Sequence, residues 1–131
     1  MSGYRREDGR LIGDGVPLED AARRHGTPLY VYSRSTVESA YRAYDSAFRP
    51  MPGRICYALK ANSNGALLRL IAGLGAGADI VSGLELRAAL RAGFEPGRIT
   101  FSGVGKNDDE LRQGLAAVSY THLTLPTIYS V

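Results

Sequence analysis

Beyond residue 53 the chain alternates short apolar runs with amphipathic segments, and this alternation limits the fold more than any other feature. Arg54 to Lys60 reads as a strand. A polar turn, Asn62-Ser63-Asn64-Gly65, leads into a helix with Leu67, Leu70, Ile71 and Leu74 on one stripe. Ala78 to Ser82 is a second strand. Ser82 and Glu85 then form a capping box that opens a helix through Leu86, Ala89 and Leu90, which Gly93 and Pro96-Gly97 end. Ile99 to Ser102 is a third strand, and Asn107 with Glu110 caps a helix carrying Leu111 and Leu115. A strand and a helix recurring every roughly 20–25 residues are the mark of α/β architecture with a parallel sheet. Two folds fit: a (β/α)₈ barrel, which needs eight units in about 250 residues, and a doubly wound sheet. The pattern alone does not separate them.

The chain ahead of residue 53 is less regular. Pro17 to His25 reads as a short helix with Leu18, Ala21 and Ala22 on one face, stopped by Gly26 and Pro28. Leu29-Tyr30-Val31-Tyr32 is β-branched and aromatic, hence a strand. Ser35 and Glu38 form a capping box for a helix with Val37, Ala40, Tyr41, Tyr44 and Phe48 at helical spacing, and Pro50, Pro52 and Gly53 break it.

Composition narrows the class. A chain of 131 residues, 44% hydrophobic and 22% charged, is globular and large enough for one ordinary domain. It has no apolar run of about 18 residues, and its start, MSGYRREDGR, lacks the apolar stretch of a signal peptide. Cys56 has no second cysteine to pair with, so a reduced, cytoplasmic setting is expected, with Cys56 a buried structural thiol. The net charge of +3 is spread without a Lys/Arg block, which describes a solvated surface rather than a nucleic-acid interface. The two histidines, His25 and His122, make no metal site with one cysteine.

The last stretch departs from this organisation. From Val118 the sequence reads VSYTHLTLPTIYSV, with no charged residue and no continuing period. Val118 to Thr127 resembles the in-frame translation of a sequencing-library adapter, with Ile128 to Val131 as index bases before a chance stop. Residues 118–131 are therefore expected to be non-native, and the natural protein to continue past Ala117.

Three residues are candidates for chemistry. The sixteen basic residues include two lysines, Lys60 and Lys106, so each stands out, although codon bias gives the same scarcity. Lys60 ends an apolar strand. It either snorkels to solvent or sits at the C-terminal mouth of a parallel sheet, where desolvation frees an amine able to condense with an aldehyde. Asp79 lies on a strand, which disfavours acids; it shares a face with Val81, opposite Ile80 and Ser82. It is either a strand-end acid or a partner for the Lys60 ammonium or a substrate amine. The capping box already explains Glu85, yet that helix start also faces the mouth. Two glycine patterns carry less. Gly73-Leu74-Gly75-Ala76-Gly77-Ala78 follows a helix and precedes a strand, the reverse of a dinucleotide-binding turn. Ser102-Gly103-Val104-Gly105-Lys106 is followed by Asn107 where a phosphate-binding loop needs Ser or Thr, so a strand-to-helix turn accounts for its glycines.

Four stretches in this order and spacing resemble diaminopimelate decarboxylases across residues 4–117: Gly26 to Tyr32, Tyr57 to Asn64, Asp79 to Leu86 and Phe101 to Lys106. The resemblance implies a homodimeric, fold-type-III enzyme dependent on pyridoxal 5'-phosphate (PLP). Such enzymes convert meso-diaminopimelate to L-lysine and carbon dioxide, a step of lysine biosynthesis. It implies the first few units of a PLP-binding (β/α)₈ barrel at 34–117, preceded at 1–33 by a helix and strand of a β-domain. Lys60 matches the Schiff-base lysine that holds the cofactor, and Asp79 and Glu85 match acids near it. The family usually reads Ser-Gly-Gly-Glu-Leu; here Leu84 replaces the second glycine. The ring-stacking histidine, the phosphate loop and the partner of the pyridine nitrogen fall beyond residue 117, so this chain by itself is expected to be inactive. Ornithine, arginine or carboxynorspermidine decarboxylases are rival members of the superfamily. A non-catalytic PLP-carrier barrel is a rival of another class, and the Leu29–Tyr32 strand argues against it.

Overall fold

The computed structural model describes residues 3–117. The expected non-native segment, residues 118–131, lies outside the described residues. Two compact units divide the chain, Met1–Ala47 and Phe48–Val131.

The first unit opens on a three-stranded antiparallel sheet, β1 (Tyr4–Glu7), β2 (Arg10–Gly13) and β3 (Val16–Pro17), which the strand reading above did not include. Its signal is local. Glu7 pairs with Arg10 and Gly13 with Val16, so each turn is a two-residue loop, Asp8-Gly9 and Asp14-Gly15. All four turn residues have positive φ, the conformation in which an Asp-Gly pair closes a tight hairpin. The helix α1 (Leu18–His25) has Glu19 and Asp20 in its first turn and Arg23, Arg24 and His25 in its last, charges that complement the helix dipole.

Two expectations for this unit are corrected. Leu29–Tyr32 is not a strand and pairs with none among the described residues. A β-former needs a neighbouring ladder, and this segment has only single ties such as the Tyr4 hydroxyl donating to the Val31 carbonyl at 2.7 Å. The second helix, α2 (Arg34–Phe48), is capped by Ser33 rather than Ser35. Ser33 is 5% exposed, and its Oγ accepts from the Thr36 N–H at 3.1 Å. Ser35 is drawn off by Asp14, whose carboxylate accepts from its hydroxyl and, at 3.2 Å, from its N–H.

The second unit is a β/α series: β4 (Cys56–Ala58), a 3-10 turn (Leu59–Ala61), α3 (Gly65–Gly73), β5 (Gly77–Ile80), α4 (Gly83–Ala92), β6 (Ile99–Phe101) and α5 (Asp108–Ala117). The strands pair in the order β4-β5-β6 and both pairings are parallel, as the alternation predicted. Register places Ala58, Asp79 and Thr100 in one row and Tyr57, Ala78 and Ile99 in the next, on the opposite face. Ala78, Ile80, Ile99 and Phe101 are buried on the second of these faces, in a core with Leu68, Ile71, Leu86, Ala89 and Phe94. Each fully buried side chain of the Leu, Ile or Phe kind stabilises by ~1.5–3 kcal/mol. The facing row is half-buried and partly polar.

The first parallel strand is shorter than Arg54–Lys60: it ends at Ala58, the last residue in register with β5, and Leu59 turns fully into the core. In α3 the buried pair is Leu68 and Ile71, not the stripe that begins at Leu67. With apolar residues all round this helix, periodicity does not select a face; the contact with α4 does.

Candidate functional site at the C-terminal end of the parallel sheet

In a parallel sheet the loops that follow the strands gather at one end, and the three candidate residues lie near it: Lys60 in the turn after β4, Asp79 near the end of β5 and Glu85 at the start of α4. Lys60 sits in the middle of the 3-10 turn after β4. It is exposed, and among the described residues its ammonium has neither an ion pair nor a hydrogen bond. Asp79 lies in β5 between Ala58 and Thr100. The Ser102 hydroxyl, one residue past β6, donates to its Oδ1 at 2.5 Å. No ion pair joins Lys60 and Asp79: the lysine lies beyond the last ladder residue of β4, while the carboxylate is taken up from the β6 side. The two residues share one end of the sheet with no hydrogen bond or ion pair between them.

Glu85 is in the first turn of α4. Its N–H donates to the N-cap Ser82 Oγ at 3.3 Å, and its own Oε2 accepts from the Val81 N–H at 2.7 Å. The expected capping box is present, with the carboxylate reaching one residue further back than the cap itself. Leu84, where the resembling family has glycine, is 72% exposed, so its side chain points to solvent and takes no space from Glu85.

The loop after β6 adds two residues. Lys106 donates to the Gly103 carbonyl and lies 5.0 Å from the centre of the Phe101 ring, contacts that fold a strand-to-helix turn. Asn107 and Glu110 make the expected reciprocal cap: Asn107 Oδ1 accepts from the Glu110 N–H at 2.9 Å, and Glu110 Oε2 accepts from the Asn107 N–H at 3.2 Å. The sequence reading missed that Glu110 also reaches α4, with Oε1 accepting from the Gly83 N–H at 2.8 Å. These backbone hydrogen bonds, Gly83 foremost and then Asn107, with the charges of Arg87 and Lys106, hold the Glu110 carboxyl below the usual carboxylate range. Sequence carries no signal for a contact across 27 residues.

An aldehyde cofactor bearing a phosphate needs an amine for attachment and hydrogen-bond donors for the phosphate. An exposed, unpartnered amine suits covalent attachment through Lys60. A phosphate would be held by free helix N-termini or a glycine-rich loop. The three helices that begin at this end carry their own caps instead: Asn64 on α3, Ser82 on α4 and Asn107 on α5. The described residues therefore fit the attachment point of such a cofactor and leave its phosphate to groups elsewhere.

The family model described as "Pyridoxal-dependent decarboxylase, pyridoxal binding domain" matches residues 34–125, a span that begins with α2 and runs past Ala117. The diaminopimelate decarboxylase of Pseudomonas aeruginosa is 49% identical over 115 residues, covering 88% of this chain and 28% of that protein. The diaminopimelate decarboxylase of Vibrio cholerae is 50% identical over 109 residues, covering 83% of this chain and 26% of that protein. Among solved structures, the diaminopimelate decarboxylase of M. jannaschii in complex with L-lysine superposes with a TM-score of 0.85 at 36% identity, covering 94% of this chain and 31% of that one. The chain thus spans 26–28% of the length of these curated relatives.

Proposed function

We propose that this chain, which belongs to the pyridoxal-dependent decarboxylases through their pyridoxal-binding domain, is the N-terminal part of a diaminopimelate decarboxylase. The whole enzyme would convert meso-diaminopimelate to L-lysine and carbon dioxide, as a cytoplasmic homodimer carrying PLP. The observation that carries this reading is the unpartnered Lys60 amine at the end of the first of three parallel strands, in a chain about half identical to enzymes of that name.

Residues 34–117 would be the first units of the barrel, residues 1–33 a contribution to the β-domain, and residues 118–131 a non-native tail. Lys60 would hold the cofactor covalently. Bound PLP supplies an electron sink for the pair released when the carboxylate departs. Asp79, fixed by Ser102, presents a negative charge that orients a cationic group of substrate or the Lys60 ammonium. Glu85, tied to the Val81 N–H, keeps the loop after β5 in place and lines the mouth. Among the described residues no helix is long and apolar enough to cross a membrane.

The test is a graft. Residues 34–117 replace the aligned segment of the Pseudomonas aeruginosa enzyme, and carbon dioxide release from meso-diaminopimelate is measured. Release that Lys60→Ala abolishes is the expected result. A folded graft that is inactive, or active without Lys60, would overturn the assignment. The reading frame past the codon for Ala117 in the source genome tests the rest. Continuation with further β/α units of a diaminopimelate decarboxylase is expected. A genome encoding VSYTHLTLPTIYSV would overturn the adapter account, and a continuation typical of ornithine decarboxylases would favour that substrate.

A further inference from the structure

Gly83 opens α4, and its N–H is one of the donors that a helix start leaves without an internal partner. Ser82, the N-cap, serves the Glu85 N–H, so Gly83 needs an acceptor from outside the helix. Glu110 supplies it from the next helix. One carboxylate accepts from Gly83 at 2.8 Å and from Asn107 at 3.2 Å, and so sits at the N-termini of α4 and α5 together. Negative charge at two positive helix ends is favourable on both sides.

The contact is close. A Cβ on Gly83 would lie 3.3 Å from Glu110 Cγ and 3.2 Å from Gln113 Oε1, so glycine lets the two helix starts meet. A second tie, Arg87 to Gln113 at 2.8 Å, runs one turn along. The first turn of α4 also holds Glu85, whose carboxylate returns to the Val81 N–H beside the end of β5. Displacing Gly83 displaces that turn.

We propose that Glu110 is a positioning residue that clasps the loop after β5 to the loop after β6 and thereby fixes Glu85 at the mouth of the sheet. Its bearing on catalysis rests on the decarboxylase reading; the clasp itself does not. The charged groups facing the Glu110 carboxylate are Arg87 on α4 and Lys106 in the loop before α5, and both favour its ionised form.

Hydrogen–deuterium exchange on the 131-residue chain at low micromolar concentration tests this without cofactor or substrate. Failure here is therefore distinct from failure of the graft assay. Glu110→Ala is expected to speed exchange across residues 81–86 by roughly tenfold, the scale of one lost charge-assisted hydrogen bond. Glu110→Gln, which keeps one acceptor oxygen for Gly83 but loses the charge at the two helix ends, is expected to restore only part of that protection. Asp109→Ala, which removes the acid paired with Arg112, is expected to leave residues 81–86 unchanged. In the unmodified chain, protection of the Gly83 N–H, which Glu110 holds while Glu85 holds that of Val81, is expected, after correction for intrinsic rates, to fall as acid protonates Glu110, and this reading survives even if Glu110→Ala fails to fold. Faster exchange confined to residues 108–117 in Glu110→Ala would reduce Glu110 to a cap of its own helix and overturn the proposal. So would protection at Gly83 that does not change as pH falls from neutral to below the usual carboxylate range.

Discussion

Ser102 donates its hydroxyl to Asp79 at 2.5 Å, joining the end of β6 to the acid of β5 across 23 residues of sequence. The bond fixes the carboxylate on the half-buried face, in the row it shares with Ala58 and Thr100. Ser102→Ala is expected to cost about 1 kcal/mol, the ordinary net worth of one such bond. Asp79→Asn, whose amide oxygen still accepts from Ser102, is expected to cost less than half as much. Urea midpoints of the two variants check this; a larger loss for Asp79→Asn would show that the charge, not the acceptor, matters.

Lys60 is expected to be insufficient without the groups that grip the phosphate. The 131-residue chain should release no measurable carbon dioxide from meso-diaminopimelate. Absorbance titration with PLP should give the same weak binding for this chain and for Lys60→Ala, because Lys106 and the N-terminal amine also react with aldehydes. Tight binding lost in Lys60→Ala would mean that these residues hold more of the cofactor than the capped helix starts suggest.

Gly103 and Gly105 sit in one turn and should respond unequally to alanine. A Cβ on Gly103 would lie 2.6 Å from the Val81 carbonyl oxygen and 3.0 Å from the Val81 Cα, both backbone atoms that cannot swing aside. Gly103→Ala is expected to destabilise by ~1–3 kcal/mol, as overpacking does. Gly105 has nothing within 4 Å of that position, so Gly105→Ala should stay within ~0.5 kcal/mol of the parent. Equal denaturation midpoints for the two variants would contradict the close approach of the loops after β5 and β6.

Asp14 should make α2 sensitive to acid. The Ser35 hydroxyl, helped by the Ser35 N–H and the Ser33 hydroxyl, holds the Asp14 carboxyl below its usual range. The folded value lies under the unfolded one. The stabilisation is therefore fully present above about pH 3.9 and is lost as pH falls through the depressed folded value. Asp14→Asn retains the positive φ of the tight turn, which asparagine tolerates, and removes the charge. Exchange protection of the first turn of α2 should fall with acid in the parent and stay level in Asp14→Asn; parallel curves would refute the role.

Much of the fold was legible because its signals are local. Strand-to-helix alternation set a parallel sheet, since segments that end in tight turns and return through helices leave the strands pointing one way. The caps at Ser82 and Asn107 were visible because a side chain bonds an N–H three residues on, a distance fixed by helix geometry. The Asp8-Gly9 and Asp14-Gly15 turns are equally local signals, although the strand reading did not take them up. The position of Lys60 at the mouth followed from the end of one apolar run.

Tertiary structure decided what depends on meetings between distant segments. Ser33 rather than Ser35 caps α2 because Asp14, 21 residues before Ser35, claims the second serine. Leu68 rather than Leu67 is buried because α4 lies on that side of α3. Leu29–Tyr32 has strand-forming residues, yet a strand is a property of two segments and its ladder is missing among the described residues. Asp79 meets Ser102, and Glu110 meets Gly83, through the register of the sheet and the packing of α5 against α4. A sequence fixes which groups a chain can offer as donors and acceptors; distance in space, set by the packed core, selects the pairs.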